Sequence, residues 1–372
     1  MGSALAYDLA RSKSVEAITL ADQDLKRPES VAAKINSKSI RPVLLDVNLF
    51  DDVVATMEGH DCAFGAVSYR FNYALSKAAI QTGVHYCDLG GNDEVVQRQL
   101  TLDALAKQKN VAIVANCGLA PGLSNVLAAR GAELFDSVES MSMRVGGLPQ
   151  HPKPPLNYQL VFSVEGLINE YSGRSAVIRS SKISDVETMT EIEPIDFPPP
   201  FGTLEAFHTS GGTSLLPTMF EGKVRELNYK TIRYKGHCEK FKALLDLDFA
   251  SNEPLTLGSR VFTEKEIFFE LLRRKLPFTG PDVVLLRVSI IGKKQGRKQT
   301  LTFNLVDFQD ESDNITAMMR TTSFPTSVIG QFLVQNQIKQ RGVMTPEQCV
   351  PLEPLLTELN NRGIHIKQEW ST

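Results

Sequence analysis

The sequence predicts an α/β protein in two parts: a doubly wound parallel sheet, then an α+β domain built on a mixed or antiparallel sheet. Three observations lead there. Residues 1–125 alternate short apolar or β-branched runs with helix-length stretches, the pattern of repeated βαβ units. Beyond residue 124 the apolar runs lengthen and alternate with polar residues, as strands with one wetter face do. The chain has 372 residues, of which 42% are apolar, enough for two cores of ordinary domain size.

In chain order, strands are expected at Ala17–Ala21, Val43–Leu45, Cys62–Val67, Val84–Cys87 and Val111–Ala115. Helices are expected between them at Gly2–Ser12, Pro28–Ser37, Leu49–Met57, Asn72–Thr82 and Asp93–Lys109. Several of the strands are short and apolar on both faces, as a sheet covered by helices requires. A doubly wound domain opens with a strand, whereas this chain opens inside a helix. The sheet is therefore expected to lack its first strand. In the second part, strands are expected at Val138–Val145, Glu226–Tyr234, Val283–Ile291, Thr300–Phe308 and Asn314–Arg320, with Gly292–Gly296 as a hairpin loop. One face of that sheet is expected to be half-exposed or covered by a partner subunit. Pro149–Pro155 and Pro198–Pro200 read as loops, and helices return at Thr326–Gln340 and Pro351–Arg362. The domains so defined are residues 1–124, 125–322 and 323–372.

Composition narrows the function. The 40 basic and 43 acidic residues leave a net charge of −3, without the basic excess of a nucleic-acid surface. No apolar run reaches the roughly 18 residues of a membrane span. The opening residues lack the basic start and apolar stretch of a secretory leader, so a cytoplasmic protein is expected. Cys62, Cys87, Cys117, Cys238 and Cys349 are widely spaced, with no C-x-x-C, and the histidines show no H-x-x-x-H pair. Reduced thiols and no metal are expected.

Gly2 heads the first helix, and Asp22 ends the next strand, twenty residues on. In a Rossmann-type NAD-binding unit the last fingerprint glycine opens that helix. An acidic residue at about that distance receives the adenosine ribose hydroxyls. The alternative is a solvated loop carboxylate that begins the turn Asp22-Gln23-Asp24. Ligands of open α/β sheets bind outside the carboxyl ends of the strands. The candidate cofactor residues are accordingly Gly2, Asp22, Asp46, Ser68, Cys117, Gly118 and Pro121, with the loop Asp88–Asn92 on the same edge. Glycines there let backbone approach a ligand, though a plain strand-to-helix turn uses them too.

In the second part, Arg233-Tyr234-Lys235-Gly236-His237-Cys238-Glu239-Lys240 joins a strand to a helix. Arginine suits bidentate carboxylate binding, and His237 or Lys240 is a candidate proton acceptor. A solvated helix start, with Glu239 at the positive end of the dipole, is the ordinary reading of such a cluster. The segment Phe207–Ser214 offers a second polar loop, whose His208, Thr209 and Ser210 are candidate substrate contacts along with Arg233 and Tyr234. No G-x-S-x-G elbow is present.

The runs GLAPGLSNVLAARGAE, VGGLPQHPKPPLNY, FSVEGLINEYS, LEAFHTSGGTS and YKTIRYKGHCEK follow one another, with RGVMTPEQCVP near the end. In order and spacing they resemble the L-lysine 6-dehydrogenase branch of the saccharopine dehydrogenase family. The resemblance implies an N-terminal Rossmann domain, a second domain carrying the substrate site and dimer contact, and C-terminal helices returning to the first. It also implies NAD-dependent oxidation of the ε-amine of L-lysine to 2-aminoadipate semialdehyde and ammonia, by a homodimer or dimer-based oligomer. Such chemistry needs a base for the amine, a hydride acceptor about 3–3.5 Å from the reacting carbon, and an anchor for the distant head group. Arg233 is the expected carboxylate anchor, His237 or Lys240 the proton acceptor, and Glu239 a group that holds the ammonium or orients its neighbour. Two alternatives stay open: a saccharopine- or carboxynorspermidine-type reductase, and a non-catalytic Rossmann protein acting as a redox sensor or scaffold.

Overall fold

The structure is a computed structural model that describes residues 1–310 and 312–371. It divides into two compact units, Met1–Gly131 with Met319–His365, and Ala132–Met318 with the residues from Ile366 onward. The boundaries expected at 124 and 322 thus fall at 131 and 318, and the last residues leave the C-terminal helices to join the second unit.

In the first unit the parallel strands come in two pieces. Ile18–Asp22 pairs with Ile40–Leu44. Separately, Gly342–Met344, Ala112–Val114, His85–Asp88 and Cys62–Gly65 form a four-stranded parallel sheet in that order. No ladder joins Ile18–Asp22 to Cys62–Gly65 among the described residues. In a doubly wound sheet of order 3-2-1-4-5-6, the strand between those two is the first. The helix Gly2–Arg11 buries Leu9 with Ile18, Ile40 and the flank of Phe64, so one small core spans the two pieces. Helix Asn72–Thr82 contributes Leu75, Ala78, Ala79 and Ile80 to a second core against Tyr86 and Ile113. The stretch expected as one helix, Asp93–Lys109, is two, Asp93–Leu100 and Asp103–Gln108. At the break, Thr101 turns its hydroxyl back to the Arg98 carbonyl (2.6 Å).

The second unit is built on a nine-stranded mixed sheet. Its path is Lys367–Ser371, Arg297–Phe308, Asp282–Lys294, Ser137–Pro149, Glu226–Arg233, Gly202–His208 and Glu193–Phe197. The hairpin Arg174–Arg179/Lys182–Glu187 joins it through Ile178 and Leu227. All pairs are antiparallel except Ser137–Pro149 with Glu226–Arg233. From Arg287 to Ile291 the central strand alternates half-buried Arg287, Ser289 and Ile291 with fully buried Val288 and Ile290, so one face of the sheet is the wetter one. Helices Val164–Tyr171, His237–Asp246 and Glu264–Lys275 bury Leu167, Phe241 and Phe268 together in a separate core.

Two expectations are corrected here. Asn314–Arg320 is not a strand: it is a turn that leads into the helix Ala317–Val334. The Asp282 carboxylate accepts the amides of Ala317 (2.7 Å) and Met318 (2.9 Å), a cap thirty-five residues away in sequence that starts the helix well before Thr326. The hairpin loop is shorter than Gly292–Gly296, because the strand runs to Lys294 and only Gln295-Gly296, both at positive φ, make the turn.

Candidate functional site

At the carboxyl edge of the first unit's strands, three loops touch. Asp88 ends its strand fully buried. It accepts the Gly90 amide (2.8 Å), the Asn116 amide (3.1 Å) and the Gln99 side-chain amide (2.7 Å). Its own carbonyl accepts the Cys117 amide (2.7 Å), so one residue ties the loop after its strand to the loop after the next. Burial raises the Asp88 carboxyl, against those three donors. Gly91, at φ +116°, lies where a Cβ would stand 3.3 Å from the Tyr69 ring of the preceding loop. Gly122, at φ +136°, would place a Cβ 2.0 Å from the Gly118 carbonyl. Thr326 donates its hydroxyl to the Cys117 carbonyl (2.7 Å).

The expected cofactor residues divide accordingly. Gly118, Pro121 and the backbone of Cys117 belong to this joined edge, and Ser68 lies exposed just before Tyr69. The Cys117 thiol is turned inward onto the Val114 carbonyl (3.2 Å), and burial pushes it up to about 11, so it is not a reactive thiolate. Asp22 ends its strand half-buried, with one carboxylate oxygen on the Asp24 amide (2.9 Å). Gly2 begins its helix against Ala66. Asp46 is exposed and accepts from the Asn48 amide and side chain, which hold its carboxyl below the usual range. That makes it a turn residue ahead of helix Phe50–Met57. The donor set fits a pyridine nucleotide: a strand-end carboxylate for a ribose, a helix N-terminus for phosphate, and glycine loops that admit close approach.

In the second unit a chain of buried polar groups runs behind one carboxylate. Arg233, 2% exposed, ends its strand and donates from Nε to the Tyr171 hydroxyl (2.7 Å) and from Nη1 to the Ile232 carbonyl (2.9 Å). Its guanidinium lies over the rings of Tyr158 (4.8 Å) and Tyr171 (5.6 Å). His237 places Nδ1 2.9 Å from the Leu156 carbonyl, which can only accept, so Nδ1 carries the proton. Nε2 then accepts from the Tyr171 hydroxyl at 3.0 Å. Burial, reinforced by Arg233, lowers His237 to about 3, so the ring is neutral. Glu170 Oε2 lies 3.7 Å from Arg233 Nη2, and a quarter of the Glu170 side chain is exposed. Burial pushes the Glu170 carboxyl up to about 7, against the opposing pull of Arg233.

This arrangement reassigns several expected residues. His237 has both ring nitrogens engaged and is 1% exposed, so its geometry suits a structural link and not a proton acceptor. Arg233 is likewise closed in, not open to a carboxylate. Lys240 and Glu239 are exposed, with Lys240 Nζ on the Pro155 carbonyl (3.0 Å). The helix they begin is capped by Glu205, a residue the sequence reading passed over. It accepts the amides of Gly236 (2.7 Å) and Cys238 (2.7 Å). Tyr234 donates to the Pro149 carbonyl (2.9 Å). His208 is buried between the Tyr229 carbonyl and Glu191, Thr209 is buried on Thr231, and Ser210 donates to the Asn169 carbonyl (2.6 Å). The polar loop therefore pins a helix end, with the Thr209 and Ser210 hydroxyls both engaged within the protein. Glu170 and Tyr171 were missed, although a signal exists. Val164, Leu167, Ile168 and Tyr171 form an apolar stripe at helical spacing, and Glu170 borders it.

A nucleotide-binding parallel unit joined to a mixed-sheet unit, with a half-buried acid beside a buried arginine, is the plan of a two-domain dehydrogenase. The chain belongs to the saccharopine dehydrogenase family: residues 1–114 match its NADP binding domain and residues 118–364 its C-terminal domain. It is 21% identical to the saccharopine dehydrogenase [NADP(+), L-glutamate-forming] of Pyricularia oryzae, over 95% of this chain and 93% of that protein. It is 22% identical to the mitochondrial alpha-aminoadipic semialdehyde synthase of Mus musculus, over 98% of this chain but only 46% of that one. Among solved structures, apo saccharopine dehydrogenase (L-Glu forming) from Saccharomyces cerevisiae shares the fold, with a TM-score of 0.80 and 18% identity over 100% of this chain and 98% of that one. Homospermidine synthase from Legionella pneumophila in complex with NAD has a TM-score of 0.65 and 12% identity, over 99% and 89%.

Proposed function

We propose that this oxidoreductase acts on a carbon–nitrogen bond of an amino acid with NAD as hydride acceptor. Its substrate is the ε-amine of L-lysine, which becomes 2-aminoadipate semialdehyde and ammonia. Asp22 carries the coenzyme reading. A carboxylate at the end of that strand accepts ribose hydroxyls and repels the 2′-phosphate of NADP. When bound, the nucleotide supplies the hydride acceptor; the glycine loops at Gly90–Gly91 and Gly118–Gly122 let backbone lie close against it. The motif order quoted above supports lysine. The near full-length match to proteins named as NADP-dependent saccharopine dehydrogenases favours a second reading, in which the secondary amine saccharopine is oxidised with NADP.

The test is a nucleotide-reduction assay with L-lysine and saccharopine, each with NAD and NADP. Reduction of NAD by lysine alone is the expected result. Reduction of NADP by saccharopine alone replaces it with the second reading, and no reduction with any pair returns the sensor or scaffold alternative. We further propose a homodimer that covers the half-buried sheet face at Arg287, Ser289 and Ile291. A monomer by light scattering at micromolar concentration would exclude it.

A further inference from the structure

We propose that Glu170 takes the proton from the substrate nitrogen, and that Arg233, Tyr171 and His237 hold it in place from behind. This rests on the reading of the protein as an oxidoreductase of carbon–nitrogen bonds. It departs from the residues that the sequence brings forward for the role.

Access is the first argument. Arg233, Tyr171 and His237 are each at most 2% exposed, and Tyr158 and Tyr229 at most 5%, whereas Glu170 keeps a quarter of its side chain open. Among the described ionisable groups of this cluster, it is the one a ligand can reach. Charge is the second. Arg233 approaches from the strand Glu226–Arg233 and favours the carboxylate, while Tyr158, Tyr229 and Tyr171 are neutral hydroxyls whose ionisation burial suppresses. The remaining neighbour, His237, is neutral and reaches Arg233 only through the Tyr171 hydroxyl. The carboxyl, pushed up to about 7, lies where a group can both accept and release a proton under neutral conditions.

Rigidity is the third. The helix Val164–Tyr171 ends with its carbonyls fastened one after another. Ser210 Oγ donates to Asn169 (2.6 Å), the Ser210 amide to Glu170 (2.8 Å), and Thr188 Oγ1 to Tyr171 (2.8 Å). Gly212 lies flat on the Tyr229 ring, where a Cβ would come within 2.3 Å, and keeps the loop close. A base must be held to a fraction of an ångström to be effective, and these bonds fix the backbone that carries this one.

The step balances as follows. The substrate ammonium gives one proton to a Glu170 Oε, leaving a neutral amine and a carboxylic acid. The nitrogen lone pair then forms the C=N bond as the carbon's hydrogen leaves with both electrons to the oxidised pyridine nucleotide. The product is a protonated imine, which water hydrolyses. Glu170 returns its proton to solvent through its open side, aided by the positive charge of Arg233.

The experiment pairs kinetics with direct titration. Glu170→Gln is expected to lower kcat by about 100-fold or more and to abolish the acid limb of its pH profile, with Glu170→Asp intermediate. Carboxyl carbon-13 NMR of glutamate-labelled protein, with Glu170 assigned by its loss in Glu170→Gln, is expected to show one glutamate titrating near neutrality and moved by added L-lysine or saccharopine. A Glu170 signal indifferent to both amines, or a Glu170→Gln protein that keeps the wild-type acid limb, overturns the assignment. A wild type that reduces neither nucleotide, yet shows the amine-dependent shift, overturns the proposed reaction while upholding Glu170 as the amine site.

Discussion

Glu170 and His237 carry opposite pH dependences, and the wild type should hide both. The Glu170 carboxyl is raised from 4.5 to about 7, so its contribution to stability is full below 4.5 and is lost as pH rises through about 7. The His237 ring is lowered from 6.5 to about 3, so its contribution is full above 6.5 and is lost as pH falls through about 3. Each slope is about 1.4 kcal/mol per pH unit, and the signs are opposite. Between 4.5 and 6.5 they cancel. Glu170→Gln removes one and leaves the other, so over those two units the variant should lose about 2.7 kcal/mol more than the wild type on acidification. Glu170 is not among the groups that shift His237, so the histidine keeps its own dependence in the variant. Trp370, the chain's single tryptophan, sits in the second unit's edge strand 5.1 Å from Phe135, so its fluorescence reports this unit. Urea unfolding followed at Trp370, at intervals from pH 4.5 to 6.5, gives the two curves. All other titrating groups cancel in the difference. Parallel curves would refute the reasoning, because the Glu170 carboxyl would then titrate alike in the folded and the unfolded chain.

Other outcomes follow from the first unit. NAD should be preferred over NADP, and Asp22→Ser with an arginine placed nearby should shift the ratio of kcat/KM toward NADP; equal efficiency of the parent with both would remove Asp22 from the ribose site. Gly122→Ala should weaken NAD binding more than tenfold, because its Cβ would meet the Gly118 carbonyl at 2.0 Å. Gly83→Ala, at φ +78° with no atom within 4 Å, should cost about 1–2 kcal/mol of stability and leave binding alone; equal effects on binding at the two positions would mean that the loop does not touch nucleotide. The strands Ile18–Asp22 and Cys62–Gly65 each have one edge without a partner among the described residues. Adding about ten residues ahead of Met1, a β-branched strand ending in G-x-G-x, should therefore tighten NAD binding and improve solubility. Calorimetric titration of both proteins decides this, and equally tight binding would show that the helix at Gly2 is not at the phosphates.

Residue order by itself determined the parallel unit and most of its loops. The runs at 17–21, 43–45, 62–67, 84–87 and 111–115 are local signals, because a strand covered on both faces needs apolar residues on both. Tertiary structure decided the rest wherever the partner is distant in sequence. Asp282 begins a helix thirty-five residues away, so the local pattern at 314–320 misled. Glu205 caps the helix at His237 from across a strand pair, and the dense cluster at 233–240 proved to be half buried link, half solvated helix start. Burial cannot be read from residue type. Arg233 and His237 looked like the reactive groups because they ionise, yet packing among four aromatic rings closed His237 off and neutralised it. Glu170, an unremarked acid at the border of an apolar stripe, acquired its character only when the fold set it, three-quarters covered, 3.7 Å from Arg233. Desolvation and charge proximity depend on which distant segments meet, and those are properties of the packed chain alone.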